Sequence, residues 1–250
     1  MYTIEKIMQV LEELAPLDLA EEWDNVGVLI GTNSKPVKKI MCALDLNEQI
    51  ADEAIAASVD CIITHHPYIF TGLKKIDYAT SIGKVIRKLI INDISLIAMH
   101  TNLDKTKDGI NDIICKGLNV EIVNGDNFLR WGKINSITLK DFITKVKKFF
   151  DAPVIRVIGY SDKKIEAVSI CSGSGAEFIK QAASVSDVYI TGDLKFHEAQ
   201  GAIAEELIVL DVGHYNSEKI IIPYLVDYLK TKLDIEVIST NICAEVFKTV

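Results

Sequence analysis

Every one of the five histidines in this chain follows an apolar run rich in β-branched residues. His65 and His66 come after CIIT. His100 follows ISLIAM and leads through Thr-Asn-Leu to Asp104. Asp193 and His197 follow DVYIT, and His214 and Glu218 follow LIVLD. Such runs read as buried parallel strands, and open parallel sheets place their ligands beyond the carboxyl ends of the strands. A single histidine there is ordinarily a hydrogen-bonded loop residue. Five of them, accompanied by carboxylates, point elsewhere. Adjacent buried imidazoles repel when protonated, and a divalent cation removes that repulsion. Three imidazoles and two carboxylates are too many for one four-coordinate ion with an open position, but they suit two ions sharing a bridging carboxylate.

Local sequence adds detail. Pro67 stops the ladder after His65 and His66 and fixes a turn. Adjacent residues at a strand end point to different sides, so each imidazole is expected to serve its own ion, with Asp104 between them. Gly213 permits a tight exit from its strand, Ser217 is placed to cap a helix, and Glu218 lies in that helix's first turn. Taken alone, Glu218 is an ordinary first-turn carboxylate favoured by the helix dipole. Trp23, Asp24 and Asn25 form a polar loop with an aromatic. Trp23 with Asn25 either stacks a ligand ring or anchors the loop. The SGSG segment at 172–175 offers amides for a phosphate, but without the spacing of a phosphate-binding motif it reads as a tight turn.

These residues need a scaffold of strands and helices in alternation, the signature of an α/β protein with largely parallel sheets. Strands are expected at 39–45, 61–64, 94–99, 154–158, 166–171, 187–191, 207–211 and 235–239. Helices are expected at 3–14, 47–58, 80–91, 108–118, 139–150, 175–184, 196–206 and 217–231, with Asn47, Asp108 and Ser217 as caps. The lysines of 139–150 form a solvated face opposite a stripe of Leu139, Phe142, Val146 and Phe149. AIAASVDCIITHHPY resembles IKQAASVSDVYITGDLK, which suggests an internal duplication. The expected architecture is two lobes of like three-layer α/β/α topology, 1–125 and 126–250.

At 250 residues either lobe can bury a core without disulfides. The five cysteines are scattered, mostly in apolar runs, and contain no Cys-x-x-Cys pair, so they read as reduced core residues. The amino terminus has charges inside its apolar stretch and fits neither a signal peptide nor a membrane span, so a soluble cytoplasmic protein is expected. With 27 basic and 35 acidic residues the net charge is −8, which disfavours a sequence-independent grip on nucleic acid.

EEWDNVGVLIG, ALDLNEQIADEAI, DCIITHHPYIF, HTNLDKTKDGIND, TGDLKFHEA and GHYNSEK occur in this order along nearly the whole chain. In these segments the sequence resembles the GTP cyclohydrolase I type 2 family, also called the Nif-three-like dinuclear-metal-centre hexameric proteins. The resemblance implies two α/β lobes around a deep cleft, a dinuclear site, and a toroidal homohexamer. It implies metal ligation by His65, His66, Asp104, His214 and Glu218. His100, Asp193 and His197 are left as supporting or acid-base residues. Two divalent ions per chain are expected, zinc, iron, manganese or nickel, because imidazole and carboxylate ligands without thiolate suit all of these. The chain is too short for the domain that some members insert between the lobes.

Two functions follow. The first is a metal-dependent hydrolase of a nucleotide or related heterocycle, in which an activated water attacks and His197 or His100 moves the proton. For GTP, water would attack the imidazole carbon of the guanine and formate would leave, a reaction that rests on the family name alone. The second is a non-catalytic metal-holding ring that recruits protein partners or encircles nucleic acid. A hydrolase requires an exchangeable coordination position beside a substrate-sized pocket, whereas a binding site can be closed.

Overall fold

The computed structural model describes residues 1–248. The chain forms two compact units, Met1–Thr106 with Ile221–Val246, and Lys107–Ile220 with the tail from Phe247. The first unit thus takes back a C-terminal segment that a cut at 125/126 assigns to the second lobe.

The first unit begins with β1 (Tyr2–Thr3), α1 (Ile4–Leu14), β2 (Gly27–Ile30), β3 (Pro36–Val37) and β4 (Lys39–Ala43). It continues with α2 (Glu48–Ala56), β5 (Cys61–Thr64), α3 (Ser81–Ile91), β6 (Ser95–Ala98) and the single turn α4 (Thr101–Lys105). The second unit holds α5 (Ile110–Gly117), the hairpin β7 (Glu121–Asp126) and β8 (Leu129–Thr138), α6 (Leu139–Phe149), β9 (Arg156–Ile158) and β10 (Lys164–Ile170). It closes with α7 (Ile179–Val185), β11 (Val188–Thr191), α8 (Phe196–Ala204), β12 (Ile208–Asp211) and α9 (His214–Glu218). The chain then returns through α10 (Ile221–Lys232) and β13 (Glu236–Ser239) to the first unit.

The first sheet runs β13-β4-β5-β6-β2, parallel except for β2 at its edge. Met41 and Ala43 of β4, Ile62 of β5 and Leu96 of β6 share a core with Ile50 and Ala54 of α2 and Val85 and Leu89 of α3. The intervening Ile40, Cys42, Cys61 and Ile63 are equally buried, on the opposite face. Near-continuous apolar strands follow from burial on both faces, as parallel sheets require. Truncating a core side chain such as Leu89 to alanine costs about 2–5 kcal/mol.

The second sheet runs β7-β8-β10-β11-β12-β9, with β10-β11-β12 parallel and β9 antiparallel at the edge. Each unit therefore has three parallel strands in sequential order, closed by an antiparallel strand that precedes them in the chain. The likeness reaches single hydrogen bonds. Asp60, just before β5, accepts from the amides of Lys38 (2.7 Å) and Lys39 (3.0 Å). Asp187, just before β11, accepts from those of Glu166 (2.8 Å) and Ala167 (2.9 Å). These positions correspond in the two segments whose sequences resemble one another.

Thr3, Asn47, Thr80 and Thr138 cap α1, α2, α3 and α6 through their side-chain oxygens. Asp108 is not a cap: α5 starts from Gly109, while Asp108 adopts φ +61° and its amide donates to Asp112 Oδ2 (2.8 Å). The helix expected at 217–231 is broken into α9 and α10. Pro223 lacks an N–H and its ring clashes with the carbonyl four residues earlier, so no helix runs continuously through Lys219. Ser217 consequently lies inside α9, where its hydroxyl donates to the His214 carbonyl (2.7 Å). In α6 the buried stripe ends on Phe150 rather than Phe149. Cys42, Cys61, Cys115 and Cys171 are buried and Cys243 is exposed. Among the described residues no helix is long and apolar enough to cross a membrane.

Candidate metal centre

His65 continues the β5 ladder one residue past the strand, its amide donating to Ala43 O (3.2 Å). Its ring is fully buried, and Nδ1 lies 2.8 Å from the carbonyl of Met99. A carbonyl can only accept, so Nδ1 carries a proton, and in the neutral ring Nε2 keeps its lone pair. That lone pair faces Asp104 Oδ1 at 3.5 Å. Two electron-rich atoms face each other there, and a cation or proton between them turns repulsion into attraction.

The other imidazoles repeat the arrangement. His66 sets Nδ1 2.8 Å from Asp45 Oδ1, and His100 sets Nδ1 2.9 Å from Asp24 Oδ1. In the second unit, His214 sets Nδ1 2.9 Å from Asp193 Oδ2 and Nε2 3.0 Å from Glu218 Oε2, one turn along α9. Four rings are thus held by Nδ1 and present Nε2, the tautomer and orientation that metal-ligating histidines take.

The rings of His65 and His66 are 5.0 Å apart, and those of His65 and His100 are 5.2 Å apart. Ligand atoms of His65, His66 and His100 all lie within 4.8 Å of one another. The rings of the two adjacent histidines thus stand close together. β5 ends at Thr64, whose hydroxyl donates to His66 O (2.8 Å), so strand alternation no longer applies there. His100, expected to support the site, belongs to the same histidine cluster. His197 is exposed on α8, its Nδ1 2.9 Å from Gln200 Oε1, and belongs to neither histidine set. Asp193 orients His214. Asn25 donates its side-chain amide to Ile69 O, and Trp23 lies beside Phe70 and His100.

The SGSG turn is a support, not a phosphate cradle. Its amides at Ser172, Gly173 and Gly175 donate to Asn111 Oδ1 (2.8 Å), Ser217 Oγ (2.9 Å) and Thr191 Oγ1 (2.9 Å). At Gly173, φ is +70° and an added Cβ would stand 2.3 Å from Glu218 Oε1, so the turn packs directly on that carboxylate. Gly213 leaves β12 with φ +82°, as its place at a tight exit requires. Buried Asp211 accepts from the amides of Leu194 (3.1 Å) and Gly213 (2.9 Å), fixing the loops that carry Asp193 and His214.

The sequence reading singled out neither Asp45 nor Phe70 as supporting residues, and it named Asp24 only as part of the Trp23 loop. Asp45 follows β4 at its carboxyl end, the signal that picked out the histidines. Asp24 lies in a loop with no periodicity, and only its pairing with His100 shows what it does. Phe70 had no signal beyond its nearness to His66. As for Asp24, burial would raise its pKa, but hydrogen bonds from His100 and Thr101 outweigh burial and hold the carboxyl well below its ordinary range.

The donor set, imidazole Nε2 atoms with carboxylates and no thiolate, fits zinc, iron or manganese. Fold and residues together define a class: two-unit α/β proteins with histidine and carboxylate clusters at the carboxyl ends of parallel strands. The chain belongs to the Duf34/NIF3 (NGG1p interacting factor 3) family, whose sequence profile matches residues 2–245. A Clostridium acetobutylicum protein named GTP cyclohydrolase 1 type 2 homolog is 34% identical over 227 residues, 86% of this chain and 85% of that one. The crystal structure of Staphylococcus aureus protein SA1388 matches with a TM-score of 0.91 at 28% identity, covering 100% of this chain and 99% of that chain. Reduced HcgD from Methanocaldococcus jannaschii matches with a TM-score of 0.88 at 31% identity, covering 96% and 98%.

Proposed function

We propose that this protein is a metal-dependent hydrolase of a nucleotide-like heterocycle, holding two divalent ions with His65, His66, Asp104, His214 and Glu218. One observation carries the reading: His65, His66 and His214 each have Nδ1 hydrogen-bonded to an oxygen acceptor, and Nε2 of His65 and of His214 faces a carboxylate oxygen. Such outer partners fix the ring and raise its basicity as a ligand.

When bound, zinc, iron or manganese supplies a water of lowered pKa and a Lewis acid for a carbonyl or phosphoryl oxygen. The chain's own groups do the rest. Asp45 and Asp193 hold the rings of His66 and His214, and the Met99 carbonyl holds that of His65. His100, with Nδ1 on Asp24, presents Nε2 as the proton carrier or as a further ligand. His197 on the exposed face of α8 is the weaker candidate for that proton. The family resemblance supports assembly as a homohexamer, the charged amino-terminal sequence is read as that of a cytoplasmic protein, and the names of the curated relatives support GTP as the first substrate to try.

The test is formate release from GTP by protein reloaded separately with zinc, iron(II) or manganese, with His66→Ala as control. Turnover that the variant lacks supports a cyclohydrolase. No turnover with any metal removes GTP and directs the search to other heterocycles.

A further inference from the structure

Trp23 and Phe70 are 57% and 47% exposed, with ring centroids 5.8 Å apart and planes inclined at 46°. Each lies edge-on to His100, at 6.3 and 6.4 Å. A tryptophan that anchors its own loop is buried, and here other residues do the anchoring. Asp24 accepts from His100 Nδ1 (2.9 Å) and from the amide of Thr101 (3.0 Å). The amide of Glu21 donates to Thr101 Oγ1 (3.0 Å). Asn25 reaches across to Ile69 O and ties the Trp23 loop to the turn that carries Phe70. The backbone beneath both rings is fixed while the rings themselves stay in water.

We propose that Trp23 and Phe70 form a stacking platform for a planar heteroaromatic ring beside the His100 edge of the metal centre. The proposal rests on the metal-centre reading and names the substrate class for it. Two apolar faces held open next to polar, ligand-type groups match a molecule with a π-face at one end and reactive or anionic groups at the other. Every nucleobase has such a face, so the platform selects for planarity over sequence or sugar. Asn25 holds the two loops together through Ile69 O.

The experiment compares guanosine 5′-monophosphate with ribose 5-phosphate, which lacks the ring, by calorimetric titration of metal-reloaded full-length protein. Trp23→Ala, Phe70→Ala and the conservative Trp23→Phe are titrated alongside, and bound metal is measured on every sample. The nucleotide should bind at least about 5- to 100-fold more tightly than ribose 5-phosphate, the alanine variants should lose that margin, and Trp23→Phe should keep most of it. Metal content should be the same in all four proteins. Equal affinity for the two probes, or alanine variants that bind the nucleotide as wild type does, would overturn the platform. Failure of the underlying reading looks different: reloaded wild-type protein would then carry no metal.

Discussion

The Nδ1 of His100 lies 2.9 Å from Oδ1 of Asp24, a residue 76 positions earlier in the chain. This bond links the loop before β2 to the end of β6 and orients a ring of the histidine cluster. Asp24 carries a depressed pKa, because hydrogen bonds from His100 and Thr101 overcome the opposing effect of burial. A carboxyl whose folded pKa is lowered adds stability above its ordinary value of 3.8 and loses it as the pH falls below that value. In urea unfolding of metal-free protein at pH 7, Asp24→Asn should be less stable than wild type by about 1–3 kcal/mol. The gap should narrow at pH 3. A gap that does not change with pH would contradict this role.

Asp45→Ala and Asp193→Ala should each weaken metal binding by about 10- to 100-fold, because each removes the acceptor that orients an imidazole. Both carboxylates are partly exposed, so far-UV circular dichroism should not change. Competition against a chelator at fixed pH measures the effect, and wild-type affinity in both variants would show that these pairs are ornamental.

Gly173→Ala tests the SGSG turn. The new Cβ would meet Glu218 Oε1 at 2.3 Å and the backbone would have to hold φ +70°. Metal content should fall and Tm should drop by about 2–4 °C for each kcal/mol lost in a chain of 250 residues. Gly201→Ala in α8 is the control, since nothing lies within 4 Å of its added Cβ. It should leave metal content alone and raise stability by about 0.5–1 kcal/mol. A Gly173→Ala protein with full metal content would separate the turn from the site.

The central strands β4, β5, β6, β11 and β12 were legible because burial on both faces makes them continuous apolar runs, and β10 through its buried end Val168–Ile170. Their carboxyl ends then located the histidines. What escaped were elements that carry little apolar pattern. All six residues of β7 are exposed, and β2 is a four-residue edge strand. The break between α9 and α10 is written in Pro223, whose ring excludes a helix through Lys219. The pairing of β13 with β4 requires the chain to return after the whole second unit, which no local pattern reports. For the site, residue types at strand ends were visible, but the partners Asp24 and Asp45 and the meeting of His65 with His66 and His100 depend on three-dimensional placement.

The most direct test of the metal centre is elemental analysis of wild type and His66→Ala after reloading with zinc and desalting. The account predicts about two ions per wild-type chain and about one or none in the variant, with the same circular dichroism spectrum. Equal metal content in the two proteins would contradict it.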